Sequence, residues 1–130
     1  MRLTVLVAIA IAVGLIPCIS SGATAPHVVA ASQLAAGKYL VIVTGCNHCH
    51  TEGWERSNGT LPETTWLKGG HAAPNVPTPA LRPIAKAMSA DAWVALFHSH
   101  HAVQDMPWFN FRYLSDADLR AIRAYIASLP

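Results

Sequence analysis

The sequence predicts an all-α domain built around something bulky. Capped helical patterns stand near the start and at the end of the chain. A Gly- and Pro-rich stretch fills residues 51–81 between them. Two cysteines and a histidine in "GCNHCH" are spaced to share one face of a helical turn. A chain of 130 residues holds one domain, and a long irregular middle in a small domain is expected to wrap something.

The first residues stand outside that domain. Arg2 is followed by the continuous apolar block "LTVLVAIAIAVGLI" and then by Pro17, Ser20, Ser21, Gly22 and Ala23. A charged start, a short apolar middle and a small-residue exit are the pattern of a secretory signal peptide. The division expected is residues 1–23 as signal and 24–130 as the mature domain, with cleavage after Ala23; a cut after Ala25 is disfavoured by Pro26. An uncleaved anchor is the alternative, although the block is shorter than the roughly 20 residues that usually span a bilayer. Cys18 as a lipidation site is disfavoured by Pro17 before it. Removing 23 of 130 residues leaves 107, with Cys46 and Cys49 as the two remaining cysteines. Without Arg2 there are eight basic and seven acidic side chains, and no basic run that would suit nucleic acid.

Residues 30–43, "AASQLAAGKYLVIV", read as a helix with Ser32 as N-cap and with Leu34, Tyr39, Leu40 and Val43 on one apolar face. The run "VIV" also suits a buried strand. Gly37 costs the helix about 1 kcal/mol relative to Ala, which close approach of a second helix would explain. Residues 51–81 read as loop, with one helical turn near 64–68. "SADAWVALFHSH" reads as a short amphipathic helix capped by Ser89, with Trp93, Leu96, Phe97 and His100 on one side. The last helix is the clearest: Ser115 and Asp118 stand at capping-box spacing, and Leu119, Ile122, Tyr125, Ile126 and Leu129 form its apolar stripe.

Cys46-Asn47-His48-Cys49-His50 is C-x-x-C-H, the attachment signature of c-type haem. Two thiols can add to the two vinyl groups of the porphyrin, and the adjacent histidine then lies beneath the iron. A zinc site needs four ligands and no second cysteine pair exists. A thioredoxin-like redox pair belongs in an α/β pattern that is absent. A disulfide between cysteines this close would stabilise little. For a second axial ligand, Met106 lies in a loop fixed by Pro107, 56 residues after His50, and Met88 is expected to fill the core. His98, His100 and His101 are alternative iron ligands, or surface residues; His48, His71 and His27 have no evident role.

"AAGKYLVIVTGCNHCHTEG", "WLKGG" and "DMPWFNFRYLSDADLRAIRAYIASLP" together resemble a class I c-type cytochrome. They are similar to the single-haem modules in cytochrome subunits of periplasmic bacterial dehydrogenases. The resemblance implies crossing N- and C-terminal helices, with Gly37 at the crossing and Tyr125 against it, and a long loop around the haem. It implies thioethers at Cys46 and Cys49, His50 and Met106 as axial ligands, and Trp66, Trp108 and Phe109 lining or edging the pocket. The middle loop is shorter and richer in proline than in fuller modules, and "HSHH" has no counterpart. One signature implies one covalent haem c.

The expected function is a periplasmic electron carrier. It would pass single electrons from a dehydrogenase or quinol-oxidising complex to a terminal oxidase or another cytochrome. It would meet a membrane only if the signal segment were retained. The rivals are a gas sensor or peroxidase with five-coordinate or bis-His iron, and a non-haem metal-binding module using the same cysteines.

Overall fold

The computed structural model describes residues 25–99 and 106–130. The signal segment, its cleavage point, Cys18, His100 and His101 lie outside the described residues. Among those residues no helix is long and apolar enough to cross a membrane.

Helix α1 (Gln33–Val43) begins where Ser32 accepts a hydrogen bond from the Ala35 amide at 3.1 Å. The β-branched "VIV" completes this helix, because α6 (Asp116–Ser128) offers it a packing surface rather than a strand partner. The buried side of α1 is Ala36, Gly37, Leu40 and Val41. This corrects the expected face: Leu40 is buried, but Leu34, Tyr39 and Val43 are exposed. The helix is apolar on nearly every side, so periodicity left the choice open, and the small pair Ala36-Gly37 made it. A Cβ on Gly37 would lie 2.0 Å from the Ala121 carbonyl oxygen and 2.7 Å from Tyr125 Cβ. The backbones of α1 and α6 therefore touch at this crossing.

The expected capping box of α6 is present. The Ser115 hydroxyl accepts from the Asp118 amide at 3.1 Å and donates to Asp118 Oδ2 at 2.9 Å. Asp118 Oδ1 also accepts from the Val28 amide at 2.8 Å, which ties the segment before α1 to α6. Leu119, Ile122, Tyr125, Ile126 and Leu129 are all buried, as the stripe predicts.

Between these helices the chain forms α2 (Cys46–His50), a 3-10 turn (Glu63–Thr65), β1 (Gly70–Ala73), β2 (Val76–Thr78), α3 (Leu81–Ala87), α4 (Ala90–His98) and α5 (Trp108–Phe111). The architecture is all-α with one small antiparallel ribbon, which pairs Gly70 with Thr78 and His71 with Pro77. The ribbon replaces part of the expected loop, and α3 begins where that loop ends. Asn75, at φ 67°, makes the reversal between the strands. Pro83 sits in the first turn of α3, where a missing N–H costs nothing.

Arg82 is buried and binds three carbonyls: Nε donates to Trp66 at 2.7 Å, Nη2 to Glu63 at 2.9 Å, and Nη1 to Pro130. Beside it, Glu63 accepts from Lys38 at 2.5 Å and from the Tyr125 hydroxyl at 2.7 Å. Those two donors, Lys38 first, hold the Glu63 carboxyl below its usual range, while burial and this same bond push the Tyr125 phenol up. A depressed carboxylate stabilises the fold above its unfolded pKa and ceases to do so as pH falls through its folded one. Glu63→Gln is therefore expected to cost about 1 kcal/mol at pH 7, discounted for the exposure of the pair. The difference should vanish in urea titrations carried below the Glu63 pKa, and a cost that persists there would refute this account.

Candidate functional site

Gly45 takes a left-handed conformation, φ 77°, and turns the chain out of α1 into α2. Within one helical turn α2 then presents Cys46, Cys49 and His50 to a cavity of about 310 Å³, a size typical of small-molecule sites. The ribbon is fastened to α2 on this side. The Gly69 amide donates to the His50 carbonyl at 3.0 Å, the Glu52 amide to the Gly69 carbonyl at 3.0 Å, and the Thr78 hydroxyl to the Cys49 carbonyl at 2.5 Å. Gly70 has no room for a side chain, since its Cβ would lie 2.6 Å from the Cys49 oxygen.

His50 is buried, and its Nδ1 lies 2.9 Å from the Pro79 carbonyl oxygen. A carbonyl only accepts, so Nδ1 carries the proton and Nε2 the lone pair. Burial pushes the imidazole below its ordinary pKa, against the smaller opposing effect of the Pro79 bond. The ring is thus held neutral, in the tautomer a metal ligand requires. Cys46 and Cys49 are reduced thiols. Burial pushes the Cys46 thiol up, opposed by the Thr44 hydroxyl 3.4 Å away. Among the described residues no group of three or more His, Cys, Asp and Glu could hold a metal ion between them.

The segment before α5 brings Met106 to the same cavity, α5 brings Trp108 and Phe111, and α4 brings Trp93, Leu96 and Phe97. Phe97 packs against three rings, with centroids 5.2 Å away at Trp93, 5.4 Å at Trp108 and 5.2 Å at Phe111. The walls are almost wholly apolar. Their two hydroxyls are occupied: Thr44 donates to Leu40, and Thr78 to Cys49. An apolar cleft with one imidazole, one thioether and two thiols along its walls fits a flat, largely hydrophobic macrocycle bearing a metal.

Five of the seven residues singled out from the sequence thus meet at one cavity: Cys46, Cys49, His50, Met106 and Trp108. Two corrections concern the aromatics. Trp66 is not among the lining residues. It packs edge-on against Trp54 at 5.2 Å, and its indole donates to the Leu61 carbonyl at 2.8 Å, so it fills the core of the loop itself. Phe109 is 63% exposed on the outer side of α5 and also stands apart from the lining. Phe97, Phe111 and Trp93 hold the places those two were expected to take. The period of α4 marked Trp93 and Phe97 as an inward face, but no local pattern separates a face meeting a cavity from one meeting side chains. Met88 packs against the core, outside the lining. His98 is exposed and contacts Asp116 at 2.9 Å, outside the lining as well.

The family model described as Cytochrome c matches residues 34–130. Comparison with curated proteins found no match. Comparison with solved structures also found none.

Proposed function

We propose that this chain, which belongs to the cytochrome c family, holds its one covalent haem through Cys46, Cys49, His50 and Met106 and works in the periplasm. Haem-based electron transfer is the family's activity. The finer reading rests chiefly on one observation: His50 is locked by Pro79 with Nε2 unprotonated, in a cavity that Met106 also lines.

The haem iron supplies one-electron exchange between Fe(II) and Fe(III). The chain does the rest. Cys46 and Cys49 would hold the haem by thioether bonds to its two vinyl groups, each thiol adding across a double bond with its proton going to the neighbouring carbon, so that no oxidant would be needed. The Pro79 carbonyl fixes the His50 ring and raises its donor strength. His50 and Met106 would hold the iron, and a thioether paired with an imidazole would favour its reduced form relative to two imidazoles. The ring cluster on Phe97 excludes water and keeps the change of charge in an apolar setting. On α1, exposed Ile42 and Val43 directly precede Thr44 and Gly45 of the cavity wall. An apolar rim of that kind suits small, short-lived contacts with a redox partner. A dehydrogenase or quinol-oxidising complex would be the donor, and a terminal oxidase or another cytochrome the acceptor. The N-terminal apolar block and its small-residue exit support export.

Met106→Ala tests this reading. The wild-type protein is expected to give a covalent pyridine haemochrome, low-spin bands, and the weak long-wavelength band of iron–methionine coordination. The variant should lose that band, bind carbon monoxide, and fall in reduction potential. A wild-type spectrum that is high-spin and shifts readily with carbon monoxide would instead indicate a sensor or peroxidase.

A further inference from the structure

Thr44 stands where α1 ends and the cavity wall begins. It is the C-cap of α1, and it is among the lining residues. The left-handed turn at Gly45 brings it back against Cys46. Its hydroxyl oxygen meets two groups, the Leu40 carbonyl oxygen at 2.7 Å and Cys46 Sγ at 3.4 Å. A hydroxyl has one proton to give, and a carbonyl can only accept. The Thr44 proton is therefore spent on Leu40, which fixes the roles at the second contact. There the Cys46 S–H donates and Thr44 Oγ1 accepts.

Both partners of that contact are held. Leu40 pins the Thr44 hydroxyl from one helical turn back, and Cys46 is buried in the first turn of α2. A cysteine side chain has three staggered rotamers, and this contact selects among them. The hydroxyl is not needed to satisfy the end of α1, because the Leu40 carbonyl also accepts from the Thr44 amide at 2.9 Å. What the hydroxyl adds is a fixed place for one sulfur on the cavity wall.

We propose that Thr44 is the positioning residue for the Cys46 thioether, holding Sγ in the rotamer from which it reaches a vinyl group. Sulfur bonds to a vinyl carbon, the vinyl π bond breaks, and the thiol proton ends on the neighbouring carbon, with no electron gained or lost. Closing that bond removes the S–H, so the contact acts before attachment and bears on its rate. Holding a reacting atom in place spares the freedom otherwise lost on reaching the transition state. The expected gain is about tenfold, the scale of one neutral hydrogen bond.

The proposal rests on haem being attached in this cavity, which the wild-type haemochrome checks independently. The experiment mixes the full chain, its cysteines reduced, with ferrous haem. Mass spectrometry of the peptide carrying residues 46–50 then follows each thioether with time. Thr44→Val keeps the shape and removes the acceptor, while Thr44→Ser keeps the hydroxyl. Thr44→Val should slow the Cys46 bond about tenfold. Chains joined through Cys49 alone, with Cys46 open to alkylation, should then accumulate. Thr44→Ser should form both bonds at the wild-type rates. In a Cys46→Ala background the two Thr44 variants should differ little from each other.

Equal slowing of both bonds, or slowing by Thr44→Val that persists without the Cys46 sulfur, would make Thr44 a helix cap only and overturn the proposal. So would a Thr44→Val chain that closes the Cys46 bond as fast as the wild type. A wild-type chain that takes up no haem would overturn the haem reading itself, and this proposal with it.

Discussion

Gly37→Ala is expected to lower the melting temperature of the haem-loaded protein by about 15 °C, a cost near 3 kcal/mol for a domain of this size. Two effects oppose each other at this position. Alanine is the better helix former by about 1 kcal/mol, so an isolated α1 would gain from the change. In the folded protein the new methyl would lie 2.0 Å from the Ala121 carbonyl oxygen. The atom in the way is backbone, so no trimming of the Ala121 side chain relieves it. The helices must separate by more than an ångström, which loosens the buried faces of α1 and α6 from one another. Close packing converts such a displacement into lost contacts along the whole crossing. Packing should therefore outweigh propensity. Thermal unfolding of both proteins checks the sign, and a variant as stable as the wild type would show that the crossing is not the constraint.

The same crossing shows where the sequence was readable. Helix α6 displays its inward face because its apolar residues repeat against charged ones, and because Ser115 and Asp118 mark its first turn. Helix α1 hides its face, being apolar on nearly every side, so Tyr39 and Val43 looked as buriable as Val41. What decided the matter was the absence of a side chain at Gly37, a fact about the partner helix rather than the local pattern. The ribbon escaped for a related reason. "HAAPNVPTP" has no alternation and is broken by prolines. It pairs because Asn75 turns the chain and because α2 accepts the edge of the ribbon through Gly69 and Thr78.

At the site, spacing carried the reading where chemistry requires neighbours in sequence, as with Cys46, Cys49 and His50. Met106 could be chosen over Met88 because Pro107 fixes it in a loop, and the structure brings Met106 alone of the two to the cavity. The aromatics were the weak part. Trp66 and Trp93 are both buried tryptophans, and only their partners distinguish them. The Trp66 indole is satisfied by Leu61 five residues away. The Trp93 indole is satisfied by nothing in the chain. That difference belongs to tertiary structure and has no signature in composition or period.

The double variant Cys46→Ala, Cys49→Ala is expected to lose not only covalent haem but the fold. The cavity is about 310 Å³, and its walls are almost entirely apolar. Without the macrocycle those apolar walls are left facing water, at a loss of about 25 cal/mol for each Å² they would otherwise bury. Domains of this length hold about 5–15 kcal/mol in total, so the loss weighs heavily. Helices α2 and α4 have little stability apart from the cavity. Helix α4 buries Trp93 and Phe97 against the cavity's own ring cluster, and α2 is only five residues long. Folding and haem attachment should therefore be one event, with the thioethers making it irreversible. Acid–acetone extraction should leave haem with the wild-type polypeptide and remove it from the variant. After extraction the variant should lack near-ultraviolet circular dichroism and any cooperative thermal transition. A haem-free variant that still melted sharply would mean that the walls can close on one another, and that the haem does not hold this small domain together.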